Sequence, residues 1–160
     1  IKVIGNDDSM DQLYADGIRN AVLGIGATNK HSFRTSFYNK LKEKGFRLPN
    51  LIHPTASIES SATFGEGNQI MAGAIVGSST KVHSNCIINS GAIVSHDCDL
   101  GNNVHITPGA ILAGNVKVGS DTLIGMGATL FFGTEVGENV TVFNGCNIQR
   151  NIPPDTVVKK

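Results

Sequence analysis

The sequence predicts a mainly β chain, a parallel β-helix of short strands preceded by a small, incomplete α/β unit. Three observations predict it. An aliphatic or aromatic residue recurs at every sixth position, without a break, from Ile52 to Ile148. A second column, two places earlier in the hexapeptide, holds small or compact residues such as Ala56, Ala74, Thr80, Cys86, Ala92, Cys98, Ala110, Thr122 and Cys146. The residues ahead of this array break the period and carry a helical pattern instead.

Residues 1–51 read as part of a Rossmann-like α/β unit. Lys2 to Ile4 reads as a strand, and Ala21 to Ile25 as a short buried one, followed by a loop at Gly26-Ala27-Thr28-Asn29. A helix is expected roughly from Lys30 to Lys44. Phe33, Phe37 and Leu41 recur on one face, Arg34, Lys40, Lys42, Glu43 and Lys44 lie mostly on the other, and Gly45 is a stop signal. Phe46 to Leu51 then leads into the array, and a strand, loop, helix and strand in that order fit a small parallel sheet.

Residues 52–160 form the predicted β-helix. The period is six, whereas an isolated strand would show two and a helix 3.6. With apolar residues at 40% of the chain, seventeen consecutive matches arise by chance with odds on the order of one in millions. One hexapeptide per face and three faces per coil give an 18-residue coil, so positions 52–148 span between five and six coils. Glycine after the large apolar residue, as at Gly65, Gly77, Gly101 and Gly119, and Asn or Ser nearby supply the tight bends.

Composition excludes several function classes. Thirteen basic and thirteen acidic residues balance, so no field of either sign draws the chain to nucleic acid or to an anionic membrane surface. No apolar run approaches a membrane span. Cys86, Cys98 and Cys146 form no CxxC pair and fit the small-residue columns as core fillers, and no signal-peptide pattern opens the sequence; a cytoplasmic setting is expected.

Chemistry belongs on outward positions near a corner, and His96 and Asp97 stand two and three places after the inward Val94. A histidine, with a pKa near neutrality, suits general-base work. Asp97, or another carboxylate, would orient its ring. One 18-residue coil beyond His96 lies Gly114, so the repeat places the two at one corner, a coil apart. Phe131, Phe132 and Phe143 occupy outward positions as an apolar patch.

The segments SGAIVSHDCDLG, VHITPGA and LAGNVKVG resemble the hexapeptide-repeat acyltransferases with a left-handed β-helix. AVLGIGATNK and GFRLPNLIHPTA narrow the resemblance to the sialic acid O-acetyltransferases and UDP-4-amino-sugar N-acetyltransferases, which place a Rossmann-like domain ahead of the helix. The resemblance implies the left hand, a homotrimer with acetyl-CoA as acyl donor in the groove between two subunits, and a sugar acceptor. A nucleotide-linked 4-amino sugar is preferred over a sialic acid hydroxyl. It implies His96 and Asp97 as the catalytic pair. The Gly114 amide would receive the thioester oxygen, with His105, Met126 and Asn144 along the CoA. Asn89, Gly26 and Asn29 fall on the substrate side. Asn144 departs from the glycine more frequent there. The glycine-rich first strand–helix loop of the group is not in this chain, which reads as a fragment or a shortened member. A zinc hydratase of the same fold would need three converging histidines, which the spacing of His53, His83, His96 and His105 does not offer. A non-catalytic β-helix scaffold is the remaining alternative.

Overall fold

A computed structural model describes residues 3–27 and 32–159. The array folds as a three-sided β-solenoid of two-residue strands stacked in three parallel sheets. Sheet 1 contains Leu51–Ile52, Gln69–Ile70, Ile87–Ile88, His105–Ile106, Leu123–Ile124, Thr141–Val142 and Val157–Val158. Sheet 2 stacks Ser57–Ile58, Ile75–Val76, Ile93–Val94, Ile111–Leu112, Thr129–Leu130 and Asn147–Ile148, and sheet 3 stacks Thr63–Phe64, Lys81–Val82, Asp99–Leu100, Lys117–Val118 and Glu135–Val136. Partners are 18 residues apart, as in Ile70↔Ile88 and Ile88↔Ile106, until the last coil, where Val142 meets Val158 and the spacing shortens by two.

The six-residue column is the core. Every member from Ile70 to Ile148 is buried, while Ile52, in the first coil, is 50% exposed because no coil lies beneath it. The compact column at Ala74, Cys86, Ala92, Cys98 and Ala110 is buried in the same cluster. A third column, three places after the core residue, makes the corners. Gly67, Gly73, Ser79, Asn85, Gly91, Asp97 and Asn103 all have positive φ, between 56° and 71°. This left-handed backbone selects Gly, Asn and Asp, a periodic signal that sequence reading passed over. Burial pushes the Cys86 thiol up to about 12 and Cys98 up to about 11. Both should therefore resist iodoacetamide in the native protein at neutral pH and react at the unfolding rate, as mass spectrometry along a denaturant series would show.

The N-terminal part is helical rather than sheet-forming. Val3 and Ile4 are exposed and belong to no strand, and Lys2 lies outside the described residues. Ala21 to Ile25 is not a strand either; a single parallel bridge, Asn20↔Arg47, marks its start. The physical reason is pairing: Ala21 donates its N–H to Arg47 O and Arg47 donates to Arg19 O, after which side chains, not a neighbouring strand, receive the backbone. Helix α1 covers Met10–Ala15 and helix α2 covers Ser32–Glu43. Helix α2 stops as expected, with Gly45 at φ 86°, Phe46 donating to Leu41 O and Gly45 to Lys42 O. Leu41 is buried and Phe37 packs against the same cluster as expected, but the stripe departs from the expectation at its start. Arg34 is 3% exposed and Phe33 62%, so the packed stripe runs through Arg34, Tyr38 and Leu41.

Candidate active site

His96 stands at the corner where sheet 2 turns toward sheet 3. Its backbone is fixed from both sides: Asp97 donates to Ser78 O in the coil before, and Asn115 donates to His96 O from the coil after. Asp97 has φ 58°, and this bend returns its carboxylate to the ring of its neighbour, Oδ2 lying 2.7 Å from His96 Nδ1. A carboxylate accepts only, so Nδ1 carries a proton, and in the neutral imidazole Nε2 is then the nitrogen with the lone pair. Both side chains are more than half exposed, so the pair adds little to stability and serves to orient the ring.

The ring lies over Gly114. A Cβ at that glycine would meet His96 Cε1 at 2.5 Å and Nε2 at 2.6 Å. One coil further, the Phe132 ring is 6.4 Å from the imidazole, centroid to centroid. Gly114 thus opens a notch between two rings. At four corresponding corners the backbone N–H is taken by a side chain from the next coil: Glu66 by Ser84 Oγ, Ser84 by Asn102 Oδ1, Asn102 by Ser120 Oγ, and Met126 by Asn144 Oδ1; at Ser78, His96, Ser120 and Phe132, among the described residues, it is not. At Gly114 the residue from the next coil is Phe132, which has no acceptor, and among the described residues no group receives the Gly114 N–H.

A second group of residues assembles elsewhere. Asn89, at the corner after sheet 1, accepts from Ser90 N–H and places Nδ2 3.1 Å from His105 Nε2. His105, 8% exposed, donates from Nδ1 to Ala27 O at 2.7 Å. The His105 ring, expected along CoA, bonds to Asn89 and to the loop containing Gly26. The same loop is gripped at two more alternate carbonyls. Arg34 donates to Ile25 O at 2.6 Å and to Gly67 O at 3.4 Å, and Gln69 donates to Leu23 O. Burial lowers the Arg34 pKa, so carbonyl dipoles carry most of the compensation for its charge. Leu23 to Gly26, Gln69, Asn89 and His105 line a cleft of about 370 Å³. The participation of Arg34 could have been found only by testing the alternative helix stripe.

Met126 and Asn144 form a third group, at the corner between sheets 1 and 2. Asn144 explains its own departure from glycine: its side chain occupies the Met126 N–H, at 2.9 Å. Asn29 lies outside the described residues. His96, Asp97 and Gly114 are therefore together, whereas Asn89, His105 and Gly26, and again Met126 and Asn144, flank the other edge of sheet 2. Among the described residues no cluster of three His, Cys, Asp or Glu side chains could hold a metal ion.

No protein-family profile matches the chain. Solved structures do. PerB, a perosamine N-acetyltransferase from Caulobacter crescentus seen with CoA and GDP-perosamine, superposes with a TM-score of 0.93 at 33% identity, over 98% of this chain and 74% of that one. The acetyltransferase domain of PglB from Neisseria gonorrhoeae, in complex with acetyl coenzyme A, gives 0.74 at 30% identity, over 94% and 90%. WeeI from Acinetobacter baumannii shares the fold, with a TM-score of 0.75 at 20% identity over 92% and 73%.

Proposed function

We propose that this chain, which belongs to the hexapeptide-repeat, left-handed β-helix acyltransferases, moves an acetyl group from acetyl-CoA to the amine of a nucleotide-linked amino sugar. The observation that carries the reading is the notch at Gly114: a residue without a Cβ and with an unclaimed backbone N–H stands against an imidazole whose Nδ1 is held by Asp97. The likeness to PerB, a perosamine N-acetyltransferase that binds CoA and GDP-perosamine, supports an amine acceptor over a sialic acid hydroxyl. A passive scaffold has no use for such a notch.

Acetyl-CoA supplies an activated thioester carbonyl. His96 Nε2 takes the proton from the attacking amine as the C–N bond forms, and returns it to the departing CoA sulfur as the C–S bond breaks; Asp97 holds the Nδ1–H tautomer and stabilises the ring while it is cationic. The Gly114 N–H receives the carbonyl oxygen as negative charge grows on it. Phe132 borders the notch one coil beyond Gly114. No side chain needs to be acylated.

The divided site residues support a homotrimer. Sheet 3 points Lys81, Asp99, Lys117 and Glu135 outward, with a Lys117–Glu135 ion pair of 2.7 Å, and this face is suited to water. Sheet 2 points Ile75, Ile93 and Ile111 outward in one row, Ile75 and Ile111 being 42% and 41% exposed. Three copies with sheet 2 toward a common axis bury that row. They also bring the His96 corner of one copy against the Met126 and Asn144 corner of the next, so that Phe131, Phe132 and Phe143 border the donor groove. Ile111→Arg should yield monomers by sedimentation, with coil structure intact by circular dichroism and acetyl-CoA binding lost; trimers that still bind would refute this arrangement.

The cleft beside Ala27 is assigned to the acceptor. Replacing Arg34 by lysine keeps the charge but not the fork that reaches two carbonyls, so the acceptor KM should rise about tenfold or more while the acetyl-CoA KM stays within twofold. Equal change in both constants would mean general destabilisation. Free, buried cysteines fit a reducing cytoplasm, and sugar modification ahead of polysaccharide assembly is the fitting role. No helix among the described residues is long and apolar enough to cross a membrane. The test of the whole reading is calorimetry with acetyl-CoA, then thiol release with a panel of amino-sugar nucleotides. His96-dependent thiol release supports it, and a verified trimer that binds no acetyl-CoA contradicts it.

A further inference from the structure

We propose that Thr80 and Cys98, buried one coil apart inside the prism, are positioning residues for acyl transfer: from the core they hold the peptides just before His96 and Gly114, and so aim the Gly114 N–H into the notch. The inference rests on the acyl-transfer reading above. Thr80, Cys98 and Val116 follow one another at 18-residue spacing in the compact column, each just before a strand of sheet 3.

At the corners after sheet 1 this column needs no polar group. Met71, Asn89, Thr107 and Gly125 each give their carbonyl to the backbone N–H three residues on, at 3.0–3.2 Å, and the donor is alanine every time: Ala74, Ala92, Ala110 and Ala128. The turns after sheet 2 differ. Among the described residues no backbone N–H reaches Ser95 O or Ala113 O. Thr80 Oγ1 donates to Ser95 O at 2.7 Å, and the Cys98 thiol donates to Ala113 O at 3.3 Å. One coil further, Phe131 O is taken by the N–H and the hydroxyl of Thr134, and there the column holds Val116, which has no donor. The turns braced from within are thus those of His96 and Gly114.

The brace has a direction. The Ala113–Gly114 peptide is trans, so its C=O and N–H point opposite ways. Cys98 is 1% exposed and draws the carbonyl toward the core, which turns the Gly114 N–H outward. The same sulfur lies 3.7 Å from His96 O, so it touches both residues of the notch from behind. Burial pushes the thiol up to about 11, and it keeps its proton at neutral pH. Thr80 fixes Cys98 in turn, accepting its N–H at 3.3 Å on the hydroxyl that holds Ser95 O. Without the thiol, Ala113 O loses its partner and the peptide gains by turning that oxygen toward water, which carries the N–H away from the notch.

Cys98→Ala should lower kcat about tenfold, part of the cost of losing a preorganised donor, with the acetyl-CoA KM within about twofold of wild type. The acid limb of the pH–rate profile should keep its midpoint, because the base is untouched. Cys98→Ser restores a donor of the kind Thr80 already uses and should recover kcat to within about threefold. If the alanine variant folds poorly, Cys98→Val makes the same comparison with the residue that Val116 already places in this column. Thr122→Val is the control: Thr122 makes equivalent contacts, to Gly137 O at 2.9 Å and from Val140 N–H at 3.0 Å, at a corner away from the notch, so it should lose stability and keep kcat. Unchanged kcat without the thiol, no recovery in Cys98→Ser, an equal kcat loss in Thr122→Val, or a shifted acid limb each overturns the inference and leaves the transferase reading standing. Wild type that releases no thiol from acetyl-CoA with any acceptor overturns both.

Discussion

Replacing His96 by alanine lowers kcat by about a hundred- to ten-thousand-fold, the range for loss of a positioned general base. The expected signature is specific. The side chain is more than half exposed and its packing contact is with a glycine, so the fold, the thermal midpoint and acetyl-CoA affinity should change little. The acid side of the pH–rate profile should flatten, because the profile falls there when a base becomes protonated. His96→Ala with a turnover within threefold of wild type, on a preparation free of wild-type enzyme, would remove the base and with it the mechanism. Asp97→Asn gives a graded companion: asparagine tolerates the positive φ of 58° but can reverse the hydrogen bond and favour the other tautomer, so kcat should fall while substrate binding is kept.

Gly114→Ala is the second large expected effect. A methyl group there would lie 2.5 Å from His96 Cε1, well inside contact distance, so the imidazole must leave its place over the Gly114 amide. Alanine keeps the backbone N–H, but the displaced imidazole no longer faces the notch, so kcat should drop by about a hundredfold or more, as for loss of a positioned general base. Stability should fall by no more than about 1–3 kcal/mol, the usual cost of overpacking, because the ring can swing into solvent. Gly91→Ala provides the control. Gly91 has φ 65° and nothing within 4 Å of an added Cβ, so alanine there strains the backbone without touching His96. Stability loss without loss of kcat at Gly91, and the reverse at Gly114, distinguishes the site from the turn. Equal kcat loss in both variants would show that Gly114 acts through the fold alone.

These two predictions draw on different depths of information. That His96 and Gly114 share a corner follows from their separation of 18, because in a solenoid of constant period sequence distance is spatial distance. That the imidazole turns onto the glycine does not follow, since it needs the bend at Asp97 and its carboxylate at 2.7 Å. The aperiodic segment was harder. Phe33 and Arg34 exchange their expected places on helix α2 because the loop from Leu23 to Ala27 presents bare carbonyls there, and the guanidinium satisfies them where a phenyl ring could not.

The sequence by itself determined the β-helix, its coil length, its strand register up to the last coil, its core columns and the corner shared by His96 and Gly114. It could do so because each hexapeptide meets its own repeat, and a local pattern then fixes every contact between coils. Only the tertiary structure decided which nitrogen of His96 faces outward, that the Gly114 N–H is left without a partner, and that His105 reaches Ala27, 78 residues away. Those outcomes depend on where an unrepeated segment docks and on how individual side chains satisfy one another, and no period encodes either.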